Sequence, residues 1–299
     1  MDTTLEVLFI LCVIMSFYYL TRVYYDDNSI EGFSQNDTFV SKQNQDVYDD
    51  FYATMYDKIH KTRQQTKFDL FQTIRVTEPS ERSVFLDVGS GTGTLVNRLR
   101  EHGFNAFGID SSQSMVQHSN KSYPQCEYKC TDVNKTMEFD PDTFSHILCT
   151  NLTIYELPDK SIFFKNCKRW LKVGGYLIVH LVDKNEFDTV VPIGKLSNVK
   201  NSTNHTSNRI LSTSVLLTNL QYTNKYSFQE NGVVKRVETF IDKNSHKTRH
   251  QELHLKIEPK EDIIQLAKTN GFHVKGVANY LEYKEDNHQY LYFFERLDV

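Results

Sequence analysis

The run Val84-Phe85-Leu86-Asp87-Val88-Gly89-Ser90-Gly91-Thr92-Gly93 constrains this chain more than any other stretch. Mostly apolar residues lead into an acid and then three glycines at alternate positions, and Leu95, Val96 and Leu99 begin a helical pattern behind them. The arrangement predicts a buried strand, a tight turn and a helix start. Glycines there let backbone approach a ligand closely, because no Cβ blocks the path and positive φ carries no steric cost. A second apolar run, Asn105 to Ile109, ends in Asp110, about twenty residues past the first glycine. In nucleoside-binding α/β sheets an acid at that strand end accepts hydrogen bonds from ribose hydroxyls.

The order of the glycines narrows the ligand. A dinucleotide fingerprint needs Gly-x-Gly-x-x-Gly to seat a pyrophosphate at the helix start. Here Gly89 and Gly91 are followed by Gly93, and position 94 is Thr. An acid ahead of the turn is a poor neighbour for a phosphate and a good one for a cationic ligand.

Over roughly residues 47 to 183 the chain resembles a class I S-adenosylmethionine-dependent methyltransferase. The resemblance rests on Asp87 to Gly93, on Asp110 with Ser111, Ser112 and Met115, and on Thr131-Asp132-Val133 after the short strand Cys126 to Cys130. It continues in the fourth strand, Phe144 to Asn151, and in Trp170-Leu171-Lys172-Val173-Gly174-Gly175-Tyr176-Leu177-Ile178-Val179, a helix end, double-glycine turn and fifth strand. One position departs from the family, which usually carries Asp where this chain has Ser145.

The resemblance implies an α/β fold with a doubly wound, seven-stranded, mostly parallel sheet, a Rossmann-like methyltransferase fold. It also implies S-adenosyl-L-methionine as cofactor. Asp87 is expected near the amino-acid end, with Gly89, Ser90, Gly91 and Gly93 forming the turn and presenting backbone. Asp110 and Ser111 are expected at the ribose, Met115 on one adenine face, and Asp132 at the exocyclic amine between Thr131 and Val133. Methyl transfer requires in-line approach and exclusion of water more than a strong protein catalyst. On the acceptor side Asn151 and Tyr155 follow the fourth strand, where such folds open their cleft. Tyr155 is a candidate acid or base, or an aromatic packed on the next helix. His180, at the end of the fifth strand, reads as structural.

Upstream, Tyr48, Phe51, Tyr52, Met55 and Tyr56 follow a helical spacing with aromatics on one side. The stripe is either a lid over the cofactor or a core-facing surface.

The first 25 residues form a separate unit. Val7 to Leu20 is fourteen residues of almost wholly apolar character, shorter than the roughly 20 of a comfortable membrane span. Extending it to Tyr25, with Arg22 snorkelling and tyrosines at the interface, predicts a single-pass N-terminal anchor with the catalytic domain facing the cytosol. Asp2 and Glu6 in place of positive charge disfavour a cleaved signal peptide.

The expected organisation is an anchor at 1–25, a flexible polar linker at 26–46, a cofactor-binding core at 47–190, a linker and antiparallel β insertion at 191–258, and a C-terminal helix with two last strands at 259–299. In the insertion, alternation over Tyr222 to Phe228, the turn pair Asn231-Gly232, Val233 to Ile241 and the alternating Leu253, Leu255 and Ile257 predict three strands. A helix from Pro259 to Asn270, closed by Gly271, then precedes strands at Phe272 to Val277 and Tyr290 to Arg296.

At 299 residues, with 39% hydrophobic residues, the chain has room for one sizeable domain and additions. Its formal charge of −4 gives no pull toward nucleic acid, and the fourth strand lacks the Pro-Pro-aromatic or Pro-Cys signatures of nucleic-acid methyltransferases. Five cysteines, an odd number mostly on predicted strands, read as reduced thiols. His246, His250 and His254 are four apart, but their surroundings read as strand and turn, so no metal is expected. The expected partner is a small-molecule or lipid-associated methyl acceptor, without nucleic acid, reached from a membrane by the N-terminal segment. A non-catalytic cofactor-binding module and a protein methyltransferase are the alternatives.

Overall fold

The strand predicted ahead of the glycine turn, β2 (Val84–Val88), lies inside a seven-stranded sheet. The computed structural model describes residues 9–18, 35–60, 62–135, 137–196, 209–217, 219–229 and 232–298. Parallel strands covered on both faces need unbroken apolar runs, and β2 pairs in parallel with β3 (Asn105–Asp110) on one side and β5 (Phe144–Cys149) on the other. β4 (Glu127–Cys130) lies outside β3, and β6 (Leu171–Val182) lies beyond β5. β12 (Gln289–Arg296) runs antiparallel between β6 and β11 (Phe272–Asn279). The full order is β11-β12-β6-β5-β2-β3-β4, the doubly wound, mostly parallel sheet expected from the sequence. At the position of the departure, Ser145 Oγ accepts from Val84 N at 2.8 Å, tying the start of β5 to that of β2.

Helices α4 (Thr94–Glu101), α5 (Gln113–Ser122) and α6 (Lys160–Trp170) connect the parallel strands. Gly93, at φ +82, begins α4, and a Cβ there would lie 2.5 Å from Tyr128 Oη. α2 (Asp50–His60) and α3 (Thr62–Thr77) precede the sheet, and α8 (Lys260–Thr269) ends before Gly271 at φ +83. α7 (Pro192–Leu196) and α9 (Leu281–Lys284) are short.

The second sheet has five strands, two more than the sequence suggested, in the order β1-β10-β9-β8-β7. β8 (Leu220–Phe228), β9 (Val233–Asp242) and β10 (Thr248–Lys256) are the predicted antiparallel set. Asn231 of the turn pair lies outside the described residues. β7 (Ser212–Leu216) adds one edge. β1 (Phe39–Gln43) pairs in parallel with β10 at the other. β1 corrects the reading of residues 26–46 as a flexible linker. From Gln35 onward that segment is built into the insertion's sheet, because β10 offers it an open edge and Arg249 grips the turn that follows. Arg249 Nη1 and Nη2 donate to both carboxylate oxygens of Asp49 at 2.9 and 3.0 Å.

The small sheet and α2 share a core of their own, in which Tyr52, Met55, Tyr222, Phe240 and Leu253 are buried. A polar chain runs through it. Arg236 Nη2 donates to Glu238 Oε1 at 2.6 Å and to Tyr52 Oη at 3.2 Å, and Gln251 Nε2 donates to Glu238 Oε2 at 3.0 Å. Burial works against the Glu238 charge, yet Arg236 and the hydroxyl of Tyr222 hold its carboxyl down at about 2.

At the N-terminus, residues 9–18 form a helix, α1, with exposed apolar side chains such as Phe9 and Met15. Its rise of about 15 Å is half of a hydrocarbon core of roughly 30 Å. Among the described residues no helix is long and apolar enough to cross a membrane. The expected single-pass anchor therefore finds no support, and the remainder of residues 1–25 lies outside the described residues.

Breaking one partner of a buried pair strands the other charge, so Glu238→Gln should lower the unfolding free energy by about 3 kcal/mol at pH 7 in urea titrations. Because the folded carboxyl sits near 2, below its ordinary 4.5, that difference should be complete above the ordinary value and shrink as pH falls toward 2.

Candidate functional site

Strand order reverses between β2 and β5, and such a switch point opens a crevice at the carboxyl ends of the strands. Four strand ends meet there. Gly89 and Gly91 follow β2, Asp110 and Ser111 follow β3, Thr131, Asp132 and Val133 follow β4, and Asn151 follows β5. All of them line one cavity of about 470 Å³, together with Met115 of α5. Its outer wall comes from the small sheet, the segment before α2 and α2 itself: Asn44, Gln45, Tyr48, Tyr56, Leu253 and His254.

Asp110 is fixed by backbone. Gly91 N donates to Oδ2 and Ser112 N to Oδ1, both at 2.8 Å. Burial nevertheless lifts its carboxyl above the ordinary range. Gly91, at φ +52, has nothing within 4 Å of where a Cβ would stand, so its open side is where backbone can meet a ligand.

Three predicted contact residues do not reach this cavity. Asp87 lies within β2, 3% exposed, and burial followed by the charge of Asp110 pushes its carboxyl well up. Ser90 turns toward β3, where a Cβ on Gly108 would come within 2.7 Å of its Oγ. Gly93 serves packing, since Tyr128 Oη donates to its carbonyl at 3.0 Å. Of the turn residues 89 to 93, Gly89 and Gly91 line the cavity.

A second cavity, of about 300 Å³, adjoins the first and shares Tyr48, Tyr56, Asn151 and Glu156 with it. Its other walls include His180, Phe187, Asp188, Tyr226, Arg236 and Gln289. The chain leaves β5 through two consecutive left-handed residues, Asn151 at φ +53 and Leu152 at φ +67. Non-glycine residues in that region are strained and cluster at functional sites. The short 3-10 turn Thr153–Tyr155 follows and packs on the glycine loop. A Cβ on Gly89 would lie 2.6 Å from Thr153 Cγ2.

That turn decides between the two readings of Tyr155 in favour of the packed aromatic. Its ring is buried, and Val182 N donates to its hydroxyl at 2.9 Å, so Tyr155 belongs to the core and lines neither cavity. The next residue, Glu156, faces the space instead. Tyr48 Oη donates to its carboxylate, 2.7 Å from each oxygen. Burial pushes the Glu156 carboxyl up to about 7 against the opposing pull of that hydrogen bond. Sequence reasoning missed Glu156, although it is the only charged residue between His146 and Asp159.

The aromatic stripe divides between the two expectations. Tyr48 and Tyr56 line both cavities, while Tyr52 and Met55 are buried in the small core.

Residues 85–175 match the family described as Methyltransferase domain, and this match decides the assignment. That segment is a methyltransferase domain of the class I S-adenosylmethionine-dependent kind. Among curated relatives, the ubiquinone biosynthesis O-methyltransferase of Bradyrhizobium diazoefficiens is 32% identical over 104 residues, covering 33% of this chain and 40% of that protein. Its counterpart in Coxiella burnetii is also 32% identical, over 33% of this chain and 44% of that one. The chain thus spans about two fifths of the length of these relatives. A methyltransferase structure from Clostridium acetobutylicum aligns with a TM-score of 0.63 at 17% identity, covering 82% of this chain and 98% of that one. The CcbJ methyltransferase of Streptomyces caelestis gives 0.64 at 13%, covering 85% and 99%. Both are likenesses of fold.

The methyltransferase cavity suits the family's cofactor by the chemistry of its walls. Asp110, Asp132 and Glu156 bring carboxylates to its walls, which favour a cation with hydroxyl and amino donors, and Gly91 leaves the cradle open. His246, His250 and His254 do not converge. His254 Nε2 pairs with Glu252 at 2.6 Å, and the ring of His250 lies 3.4 Å from Thr239 Oγ1. Asp183, Glu186 and His288 do lie within reach of one another, but Asp183 is held by Lys260 and by Tyr290 Oη in an ion-pair cluster.

Tyr155→Phe would leave the amide of Val182 buried without its acceptor. It should lower stability by about 1–2 kcal/mol in denaturant titrations and leave calorimetric affinity for S-adenosylhomocysteine unchanged. A large loss of affinity would return Tyr155 to the site.

Proposed function

We propose that this chain transfers a methyl group from S-adenosylmethionine to a small-molecule acceptor held in the second cavity. The observation carrying this reading is the junction of two cavities at Tyr48, Tyr56, Asn151 and Glu156, one lined by the glycine turn and Asp110 and the other by aromatic and polar side chains. Tyr226 and Arg236 of the small sheet wall the second cavity, and its volume of about 300 Å³ suits a metabolite better than a polypeptide.

In this reading Asp110 accepts from the ribose hydroxyls and Ser111 flanks them. Gly89 and Gly91 present backbone beside the amino-acid portion. Met115 covers one face of the adenine, Asp132 accepts from its exocyclic amine, and Thr131 and Val133 flank it. The bound cofactor supplies an electrophilic methyl group. The chain's own residues align the acceptor and keep water out, and that positioning lowers the barrier. Any attachment to a lipid surface would rest on α1, whose apolar side chains face outward.

Asp110→Ala should weaken S-adenosylmethionine binding about 100-fold, the worth of two hydrogen bonds to a charged group, without changing the far-ultraviolet circular dichroism of the chain. Unchanged affinity would sink the ribose assignment. Incubation of the full chain with labelled cofactor and a cell-extract metabolite pool should place label in small molecules; label confined to polypeptide would favour a protein methyltransferase. Full-length chain should co-sediment with lipid vesicles more strongly than a chain lacking residues 1–34.

A further inference from the structure

Building on that reading, we propose that the acceptor is an amine, and that Glu156, steadied by Tyr48, takes the proton from its nitrogen as the methyl group arrives. The inference rests on which groups face the junction between the two cavities. Glu156 is a wall of both. It therefore stands where an acceptor atom must stand to reach the methyl donor.

The charge around the second cavity favours a cationic guest. Glu156 and Asp188 bring two carboxylates to it. Its one arginine, Arg236, is bound to Glu238 at 2.6 Å and has no surplus charge for an anion. Tyr48, Tyr56 and Tyr226 add aromatic walls, of a kind that attracts ammonium groups, while the ring of Phe187 is already faced by the guanidinium of Arg209 at 4.3 Å. An acidic or phosphorylated acceptor would meet repulsion there.

An ammonium cannot attack a sulfonium, because its nitrogen has no lone pair, so proton removal is an obligatory part of the chemistry. The N–H bond breaks and the proton passes to a Glu156 carboxylate oxygen. The nitrogen lone pair forms the new N–C bond. The C–S bond breaks with its electron pair going to sulfur, and Glu156 returns the proton to solvent after release. Tyr48 is a positioning residue in this scheme. Its hydroxyl reaches both oxygens of the carboxylate and fixes its plane.

The groups that set the behaviour of Glu156 come from every surrounding element. Tyr48 donates to it and Arg236 of β9 attracts it, so both favour its charged form, while Asp110 of β3 and Glu238 of β9 oppose that form. Tyr56 of α2, Cys149 of β5 and Tyr226 of β8 also interact with its charge. Burial outweighs them and holds the carboxyl near neutrality, where a base serves best.

The test uses the full chain, labelled S-adenosylmethionine and a cell-extract metabolite pool split by cation exchange into an amine fraction and a flow-through. Label should enter the amine fraction. Label only in the flow-through would overturn the amine assignment and leave methyl transfer standing, whereas label in neither would overturn both. On the labelled fraction Glu156→Gln should cut turnover by about 10²–10³-fold while binding S-adenosylhomocysteine within about threefold of wild type. Glu156→Asp should restore part of the rate, as a merely structural glutamate would not require. Tyr48→Phe removes a bond that favours the charged carboxylate, so the rising limb of the pH–rate profile should move to higher pH; an unmoved limb would overturn the Tyr48 role. A readout without turnover comes from melting temperatures. A carboxyl raised in the folded state loses stability as pH climbs from the ordinary value toward 7. Wild type should therefore fall relative to Glu156→Gln between pH 5 and 8, and parallel curves would overturn the titration assigned to Glu156.

Discussion

The buried ion pair of Arg236 and Glu238 is the constraint on which the upper half of this molecule depends. It lies between β9 and α2, and its satisfaction draws on residues far apart in sequence: Tyr52, Tyr222, Asn224, His60 and Gln251. Gln251 in turn accepts from Arg249, which clamps Asp49. A buried pair is worth little if any partner is missing and is costly to leave half-made. The network therefore fixes one arrangement of residues 35–60 against the small sheet. Tyr48 and Tyr56 flank Tyr52 on the same stretch, so the arrangement that satisfies Arg236 also aims those two rings at the cavities.

Beneath this cover the sheet contributes a second kind of constraint, made of backbone. Gly89 permits Thr153 to approach the glycine turn more closely than any Cβ would allow. That approach is compatible only with the left-handed pair Asn151 and Leu152. Strain at the exit of β5 thus positions the turn that brings Tyr155 into the core and Glu156 into the space. A single residue's phase separates a packed phenol from a cavity carboxylate.

The sheet was legible in the sequence because strands buried on both faces must be continuously apolar, as in Val84 to Val88, and because glycine and acid spacing mark the turns between them. The cover was less so. β1 and β7 are short edge strands rich in Ser, Thr, Lys and Gln, with burial alternating residue by residue. Their pairing depends on an edge offered by a distant segment, which local composition does not encode. Tyr155 was chosen over Glu156 because side-chain chemistry was visible and the left-handed turn that sets their phase was not. Asp87 and Ser90 stand outside the cavity lining because one is held within β2 and the other turns toward β3, placements set by backbone angles that composition does not display. Conversely, Asp110 was placed at the cavity from its spacing after the glycines, and Met115 and Asp132 from the family resemblance, since each sits at a strand end or the first turn after one.

The electrostatic character of the site ties these parts together. Asp87, Asp110 and Glu156 are all raised from their ordinary values, each by burial first, and Asp110 acts on the other two. Three carboxyls withdrawn from water near one another hold a cost that a dinucleotide's phosphates would increase. A cationic sulfonium carrying hydroxyl and amino donors reduces it, by Coulomb attraction in a poorly solvated space and by hydrogen bonds that favour the ionised forms. Selection for the charge of the ligand is thus a property of the carboxyls in the cavity wall and just behind it, and it acts before any contact with the reacting methyl group is made.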